Sequence, residues 1–186
     1  MSIKHPIISV TGSSGAGTST VKHTFQQIFR RESVKAVTLE GDAFHRYNRK
    51  EMKKELEKRH AAGDATFSHF SFDANLLPEL EDCFRNYSEQ GTCRYRHYIH
   101  NSNEENLYGA KPGNFTKWKK FKEPSDLLFY EGLHGAVVNE EINLARYADL
   151  KIGVVPVINL EWIQKIHRDT DSRGYSTEAV TDTILR

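Results

Sequence analysis

A glycine-rich loop between a predicted strand and a predicted helix constrains the fold of this chain more than any other feature. Residues 6–10 form a short β-rich run that leads directly into the sequence TGSSGAGTST at 11–20. Apolar residues then recur at the spacing of one helix face, at Val21, Phe25, Ile28 and Phe29. A strand, a glycine loop and a helix in this order predict an α/β fold.

The loop has the spacing of a phosphate-binding loop, or P-loop, except that Thr18 occupies the position of the usual lysine. Glycines allow backbone N–H groups to point at phosphate oxygens, and the helix that follows adds its positive N-terminal end. Ser19 can offer its hydroxyl to Mg²⁺. The predicted nucleotide-binding residues are Gly12, Ser13, Ser14, Gly15, Ala16, Gly17, Thr18, Ser19 and Thr20.

Two other interpretations of the loop stay open on spacing alone. A dinucleotide fingerprint places its glycines as G-x-G-x-x-G, whereas the order here is G-x-x-G-x-G, although Glu40 ends the second predicted strand where a ribose-binding acid would lie. The loop could also be a glycine-rich turn without a ligand. If it is a P-loop, the missing lysine requires that another cation reach the β- and γ-phosphates.

Apolar runs and helical stripes along the rest of the chain predict a three-layer α/β domain with a mainly parallel sheet, because runs buried on both faces suit such a sheet. The further predicted strands are 35–39, 127–130 and a run within 148–157. The predicted helices are one capped by Asn48 and Glu51 that ends near Ala62, one over the stripe 76–87 with Pro78 in its first turn, and a short one from Asn159 to Ile166. Residues 95–99 are a possible exposed strand, and 101–125 read as loop.

Composition excludes several classes of protein. A chain of 186 residues predicts one domain, 1–186, and a net charge of +1 lacks the basic excess of a general nucleic-acid-binding protein. No apolar run approaches the ~18 residues of a transmembrane helix, and the N-terminus lacks a secretory signal, so we expect a cytoplasmic protein without a membrane partner. Two cysteines, Cys83 and Cys93, are too few for a disulfide framework. The end at Arg186 lacks a helix stop signal, which suggests a piece of a longer protein.

Two acids follow predicted strands and should therefore lie beside the P-loop, at the carboxyl edge of the sheet. These acids are Asp42 and Glu131. Phosphoryl transfer to a hydroxyl needs a carboxylate that accepts the proton and oxygen ligands for Mg²⁺, and two acids at this edge suit both needs. The alternative is that they cap helices or are simply solvated.

Cations gather in three places along the sequence. Most of the Lys and Arg side chains in 45–60 and 94–122 are expected to be solvated, but His45 and Arg49 follow Asp42 closely and suit an anionic co-substrate. Every second residue of a strand lies on the same face, so four side chains in the second stretch would share one face. That face would either bind an anion or protect a sheet edge by its charge. The four side chains are Arg94, Arg96, Tyr98 and His100.

The third cationic cluster follows the last predicted strand and looks like a mobile lid. It comprises Lys165, Arg168, Asp169, Arg173 and Gly174, with Lys165 and Arg168 on one helix face. Lids of this kind close over a transferring phosphoryl group and stabilise its charge, which would supply the cation that Thr18 does not. The alternative is a helix C-terminus decorated with cations that favour its dipole.

Five separated blocks together resemble the bacterial phosphoribulokinases, which are P-loop enzymes related to the uridine kinases. The blocks are 12–20, 40–45, 64–70, 128–135 and 159–169. The resemblance implies the three-layer fold of P-loop nucleoside triphosphate hydrolases. It also implies transfer of a phosphoryl group from ATP, with Mg²⁺, to the C1 hydroxyl of ribulose 5-phosphate in the Calvin cycle. A uridine kinase-like nucleoside kinase and a catalytically idle nucleotide-binding module are the alternatives.

The resemblance also implies roles for individual residues. Asp42 is then the catalytic base; Lys165, Arg168 and Asp169 are catalytic; and Ser19, Glu131 and Asp169 take part in Mg²⁺ binding. The implied sugar-phosphate contacts are His45, Arg49, Tyr98, His100 and Arg173. Arg31 resembles a position tied to allosteric control, with NADH and AMP as effectors of a homo-oligomer that is longer than this chain. No cysteine lies between Gly12 and Ser19, so thioredoxin control is not expected.

Overall fold

A four-stranded parallel sheet carries the fold in the computed structural model, which describes residues 4–121, 123–171 and 173–185. Its strands, in spatial order, are β2 (Ala36–Glu40), β5 (Leu127–Gly132), β1 (Ile7–Gly12) and β6 (Leu150–Val154). A separate antiparallel pair joins β3 (Arg94–Tyr95) to β4 (Lys119–Lys120). The predicted α/β class with a mainly parallel sheet is confirmed.

Six α-helices and three short 3₁₀ helices connect the strands in the described part of the chain. The α-helices are α1 (Thr18–Arg31), α2 (Arg49–Ala61), α3 (Leu77–Gln90), α4 (Ser102–Tyr108), α5 (Ile158–Asp171) and α6 (Thr177–Ile184). The 3₁₀ helices are Gly41–Phe44, Phe72–Ala74 and Leu144–Arg146. No described helix has the length and apolar character needed to cross a membrane.

The sheet is covered on both faces, because neighbouring residues of a strand point to opposite sides. On one face Phe129 packs against Phe25 and Phe29 of α1, with ring centroids 5.2 and 5.7 Å away. On the other face Tyr130 packs against Phe84 of α3 at 5.3 Å. The three layers are therefore α1, the sheet, and α3.

The strand register brings the ends of the strands to one edge. Glu40 of β2 stands beside Glu131 of β5, and Thr11 of β1 stands beside Gly132. The loop after β1, the turn after β2 and the end of β5 therefore meet at the carboxyl edge of the sheet, which is where ligands bind in such sheets.

Most predicted elements are confirmed within a residue or two. The capping box of Asn48 and Glu51 is present at the start of α2, and Pro78 lies in the first turn of α3. Gly63, with φ +86°, follows the end of α2. The segment after Ser176 forms α6 with Val180 buried. The assignment of 1–186 to a single domain stays a prediction.

Three predicted features are wrong or incomplete. Asn159 does not cap a short helix but lies within α5, which continues past Ile166 to Asp171 because its polar residues pair along the helix. The stretch 101–125 is not all loop, since Asn101 accepts hydrogen bonds from two backbone N–H groups and starts α4. The possible strand at 95–99 shrinks to β3 and an isolated bridge from Tyr98 to Phe115.

The two cysteines form a disulfide, and two residues named in the sequence predictions lie outside the described ranges. A disulfide joins Cys83 in the middle of α3 to Cys93 before β3. The count of two cysteines excluded a framework of several bridges but did not predict this pairing. Lys122 of the second basic stretch and Arg186 at the predicted chain end lie outside the described residues.

Candidate functional site

The P-loop backbone needs its glycines at three positions. Gly15 and Gly17 adopt φ values of +103° and +96°, which side chains disfavour, and Gly17 directly precedes α1. A Cβ atom on Gly12 would lie 2.8 Å from the carbonyl oxygen of Val154. The loop therefore turns sharply against β6 and enters α1, as a phosphate-binding loop does.

Thr18 connects the loop to an acidic pair at the sheet edge. Its hydroxyl donates a hydrogen bond to Oε1 of Glu131. Lys22, one helical turn later, places its Nζ 2.8 Å from Oε1 of Glu40 and 3.7 Å from Oε2 of Glu131. Burial alone would lower the pKa of Lys22, but the attraction of Glu40 and then Glu131 outweighs it and raises that pKa. Lys22 balances two carboxylates that the strand register forces together.

Asp42 is held between two histidines in the 3₁₀ helix that follows β2. His45 Nε2 lies 3.3 Å from Oδ1 of Asp42, and His100 Nε2 lies 3.2 Å from Oδ2. The carboxylate is partly exposed, with 44% of its side-chain surface reaching solvent. Burial would raise its pKa, but the hydrogen bonds from His100 and His45 outweigh burial and hold the pKa well below 3.8. Asp42 is therefore ionised at neutral pH.

Asn75 fixes the other side of the His45 ring. Its side-chain nitrogen donates to the carbonyl oxygens of Ser71 at 2.8 Å and His69 at 3.0 Å, so its Oδ1 is free to face His45 Nδ1 at 2.8 Å. An acceptor at Nδ1 and a carboxylate at Nε2 both favour the doubly protonated ring. Burial by itself would lower the pKa of His45, but Asp42 and then Asn75 raise it above 6.5.

Three of the other predicted sugar-phosphate residues, Arg49, Tyr98 and His100, lie near the same carboxylate, whereas Arg173 pairs with Asp169. Arg49 Nη2 donates to the carbonyl oxygen of His100 at 3.2 Å, and the Tyr98 ring lies 4.9 Å from the His100 ring. The Nε of Arg49 is buried and lacks a hydrogen-bond partner among the described residues. Burial raises the pKa of Tyr98, against the lowering effect of nearby Arg49. These side chains form the wall of the cleft that faces Asp42.

Two of the predicted lid cations reach the P-loop from α5. Ser14 Oγ accepts hydrogen bonds from Lys165 Nζ at 3.3 Å and Arg168 Nη2 at 2.9 Å. Gly15 packs against the same helix, since a Cβ there would lie 3.1 Å from the Cβ of Lys165. Two cations therefore lie beside the P-loop, and they stand on the regular helix α5.

Asp169 holds this cationic group together. Its carboxylate lies 2.8 Å from Arg168 Nε, 3.2 Å from Arg173 Nη1 and 3.3 Å from Lys165 Nζ. Both Asp169 and Lys165 are 5% exposed. Burial lowers the pKa of Lys165, and for Asp169 the three cations outweigh burial and lower the pKa. An acid already engaged by three cations is better suited to orienting them than to binding a metal ion.

His69 lies between the two halves of the cleft. Burial, then the charges of His45 and Lys165, lower its pKa to about 3, so its ring is neutral. The neighbouring Phe70 ring lies 5.4 Å from Lys165 Nζ. The segment between α2 and α3 thus closes one side of a cleft that has Asp42 at one end and Lys165 at the other.

The predicted metal ligands do not converge as one group. In the described ranges, no cluster of three or more His, Cys, Asp and Glu side chains could hold a metal ion. Glu131 and the Thr18 hydroxyl lie together, whereas Asp169 belongs to the cationic group. A single carboxylate beside hydroxyl groups still suits Mg²⁺ that takes its other ligands from phosphate oxygens and water.

Arg31 lies apart from the cleft. It occupies the last turn of α1, and its side chain is 76% exposed and pairs with Glu32 at 2.8 Å. No contact joins it to the site residues in the part of the chain that the structure describes. The predicted anion-binding face splits in the same way: Tyr98 and His100 face Asp42, and Arg94 is exposed, with its guanidinium 5.6 Å from the Trp118 ring.

Three contributors escaped the sequence analysis: Lys22, Asn75 and His69. Lys22 lies four residues after Thr18 and so on the same helix face, which is the one signal that could have pointed to it. Asn75 and His69 act through contacts with His45 that lie 30 and 24 residues away in the chain, and no local pattern marks them.

The chain is similar to known proteins over nearly its whole length. A family model described as "Phosphoribulokinase / Uridine kinase family" matches residues 7–186. Phosphoribulokinase 1 of Cereibacter sphaeroides is 72% identical over 186 residues, which make up 100% of this chain and 64% of that protein. Phosphoribulokinase of Nitrobacter vulgaris is 64% identical over 183 residues, or 98% of this chain and 63% of that protein.

A solved structure gives the same result. The phosphoribulokinase from Rhodobacter spheroides matches with a TM-score of 0.83 and 69% identity, covering 98% of this chain and 62% of that one. This confirms the predicted three-layer P-loop fold. The chain spans about 64% of the length of the curated relatives. It belongs to the phosphoribulokinase / uridine kinase family.

Proposed function

We propose that this protein transfers the γ-phosphoryl group of ATP to the C1 hydroxyl of D-ribulose 5-phosphate, giving the ribulose 1,5-bisphosphate of the Calvin cycle. The observation that carries the proposal is the Asp42 carboxylate, held by His45 and His100 in a cleft beside the P-loop. The relatives that are named phosphoribulokinase supply the identity of the acceptor. The basic wall of the cleft suits a sugar phosphate better than a neutral nucleoside.

The nucleotide would lie on the P-loop and the start of α1. Backbone N–H groups of Gly12–Thr20 and the positive end of the helix attract the phosphates. Ser19 and Glu131 would hold Mg²⁺, which neutralises charge on the β- and γ-phosphates when it is bound. Thr18 and Lys22 orient the Glu131 carboxylate for this role.

The acceptor would lie between Asp42 and the basic wall. Asp42 accepts the proton of the C1 hydroxyl as the oxygen attacks phosphorus, and its low pKa keeps it ionised and ready. His45 and His100 orient the carboxylate and stabilise its charge. The phosphate at the far end of the sugar would contact Arg49, Tyr98 and Arg173.

Charge on the transferring phosphoryl group would be stabilised from α5. Lys165 and Arg168 already meet at Ser14, and Asp169 holds both side chains in place. Preorganised cations of this kind stabilise a developing charge without having to move during the reaction. Asp169 thereby acts as an orienting acid.

The proposals on regulation and assembly rest on the resemblance alone. We propose NADH and AMP as effectors of the longer family proteins, with Arg31 as a residue that affects this response. Assembly into a homo-oligomer and a cytoplasmic location are proposed on the same basis.

A coupled assay of ADP release tests the proposal directly. The full chain is incubated with Mg²⁺ and ATP and then with ribulose 5-phosphate, with uridine, or with neither. Turnover that depends on ribulose 5-phosphate is expected. Turnover with uridine would favour the nucleoside kinase, and nucleotide binding without turnover on either acceptor would favour the idle module.

A further inference from the structure

Arg96 is a partly buried guanidinium that the proposed reaction does not use. It follows β3, and its Cζ lies 3.6 Å from the ring centroid of Phe115 and 4.6 Å from that of Trp118. No carboxylate lies within ion-pair distance of it in the described ranges. Burial lowers its pKa to about 10, so it remains charged at neutral pH. A partly buried cation with no acidic side chain in ion-pair distance must satisfy its N–H groups with other acceptors.

The guanidinium donates hydrogen bonds to two backbone carbonyls next to Asp42. Its Nε donates to the oxygen of Ala43 at 2.8 Å, and its Nη2 donates to the oxygen of His45 at 2.6 Å. Both acceptors belong to the turn that carries Asp42 and His45. Arg96 therefore holds this turn by two hydrogen bonds from the side of β3.

The remaining carbonyls of the turn have backbone donors. The oxygen of Asp42 accepts from the N–H of His45 at 3.3 Å, and the oxygen of Phe44 accepts from the N–H of Leu76 at 2.7 Å. Arg96 thus supplies the side-chain donors in a turn that backbone contacts satisfy only in part. Without it, the carbonyls of Ala43 and His45 lose these partners, and Ala43 is only 1% exposed.

We propose that Arg96 is a positioning residue that sets the geometry between Asp42 and His45 through the backbone of their turn. Its catalytic consequence rests on the proposed function, but the positioning itself does not. A planar fork that donates to two acceptors and stacks on aromatic rings is a task for arginine that lysine cannot repeat. Arg96→Lys therefore keeps the positive charge but loses the paired hydrogen bonds to the two carbonyls and the stacking on the aromatic rings.

The direct test reads the His45 ring by NMR titration of ¹³C-labelled histidine in the full chain, with His45→Gln assigning its signal. In the wild-type protein His45 should titrate above 6.5 because of its contact with Asp42. Arg96→Lys should lower the midpoint toward 6.5, since the charge is kept and only the geometry changes. The groups that face His45 are otherwise unchanged; they are Asp42, Asn75, His69 and Tyr98.

Arg94→Lys is the matched control, because Arg94 lies two residues away, contacts the same Trp118 ring and is not bonded to the turn. It should leave the His45 midpoint unchanged. A folded Arg96→Lys protein with the wild-type midpoint would overturn the proposal. If Arg96→Lys does not fold, Arg96→Gln replaces it. Loss of the Arg96 charge alone would raise the His45 midpoint, so a lowered midpoint in Arg96→Gln supports the proposal and an unchanged or raised one contradicts it. Failure of both variants to fold would assign Arg96 to stability instead.

A kinetic readout separates this proposal from the proposed function. With ribulose 5-phosphate and ATP, Arg96→Lys should lower kcat on the order of 10- to 100-fold by displacing the base, while KM for ATP stays unchanged. A rise in KM for ATP as large as the fall in kcat would contradict a positioning role. If the wild-type protein has no activity, the proposed function fails, but the NMR comparison still tests Arg96.

Discussion

Thr18, which stands where a P-loop lysine is usual, donates its hydroxyl hydrogen bond to the carboxylate of Glu131. A lysine at this position would bring a charge to the phosphates and would also pair with Glu131. The threonine orients that carboxylate, and α5 places the cations Lys165 and Arg168 at Ser14 of the same loop. Under the proposed function, the loop and the helix would divide a task that one lysine performs in other P-loops.

The first prediction concerns this hydrogen bond. Thr18→Val keeps the side-chain shape and removes the donor to Glu131, so affinity for MgATP should fall by about 5- to 100-fold. Isothermal titration of MgATP checks it. Thr24→Val is the control, since the Thr24 hydroxyl bonds only to the carbonyl oxygen of Thr20 on an exposed part of α1. Equal affinities for Thr18→Val and the wild-type protein would refute the role given to Thr18.

The second prediction concerns Lys22. Lys22→Met leaves Glu40 and Glu131 side by side without a compensating cation, so the free energy of unfolding should fall by about 1–2 kcal/mol near neutral pH, discounted because Glu40 is partly exposed. Because the pKa of Lys22 is raised above 10.5 on folding, its contribution is present below 10.5 and is lost as pH rises through the folded value. Urea unfolding measures it, with Lys54→Met on exposed α2 as control. No difference between the two variants would count against this ion pair.

The third prediction concerns the pH dependence of stability at His45. Its folded pKa is raised above 6.5, so its contribution is fully present below 6.5 and is lost as pH rises through the folded value. The difference in unfolding free energy between the wild-type protein and His45→Gln should therefore be larger at pH 5.5 than at pH 8.5, by an amount on the order of 1 kcal/mol. Urea unfolding at both pH values checks this. A larger difference at pH 8.5 than at pH 5.5 would contradict a raised pKa of His45 in the folded protein.

The fourth prediction concerns Asp169. Asp169→Asn leaves Lys165, Arg168 and Arg173 without their common partner, so kcat should fall on the order of 100-fold or more while the affinity for ATP changes little. Asp171→Asn is the matched control two residues away, because the Asp171 side chain is exposed and lies 3.9 Å from His167 Nδ1, outside the cationic group. Steady-state kinetics of both variants decide the matter. Similar kcat values for the two variants would mean that Asp169 does not orient the cations.

Much of the frame could be predicted because local chemistry determines it. The P-loop follows from a strand, glycines and an amphipathic helix, and Asp42 and Glu131 follow strand ends. Their convergence at one sheet edge is a consequence of parallel pairing, seen in the register of Glu40 beside Glu131. Such features need no knowledge of distant contacts.

The contacts that tune the site could not be predicted, because they join segments far apart in the chain. Asn75 meets His45 across 30 residues, and Arg168 meets Ser14 across 154. The predicted helix at Asn159 starts within one residue of α5 but ends five residues too early, because pairs such as Lys165 with Asp169 continue the helix to Asp171.

The base assignment of Asp42 is tested most directly by kcat with ribulose 5-phosphate and ATP in Asp42→Asn, measured beside Asp82→Asn. Asp82 is an exposed acid of α3 that pairs with Arg85, so its variant reports only the general effect of losing a carboxylate. We predict that kcat falls by on the order of 10³-fold or more in Asp42→Asn, that MgATP binding is retained, and that Asp82→Asn turns over like the wild-type protein. Near-normal turnover in a folded Asp42→Asn protein would contradict the account.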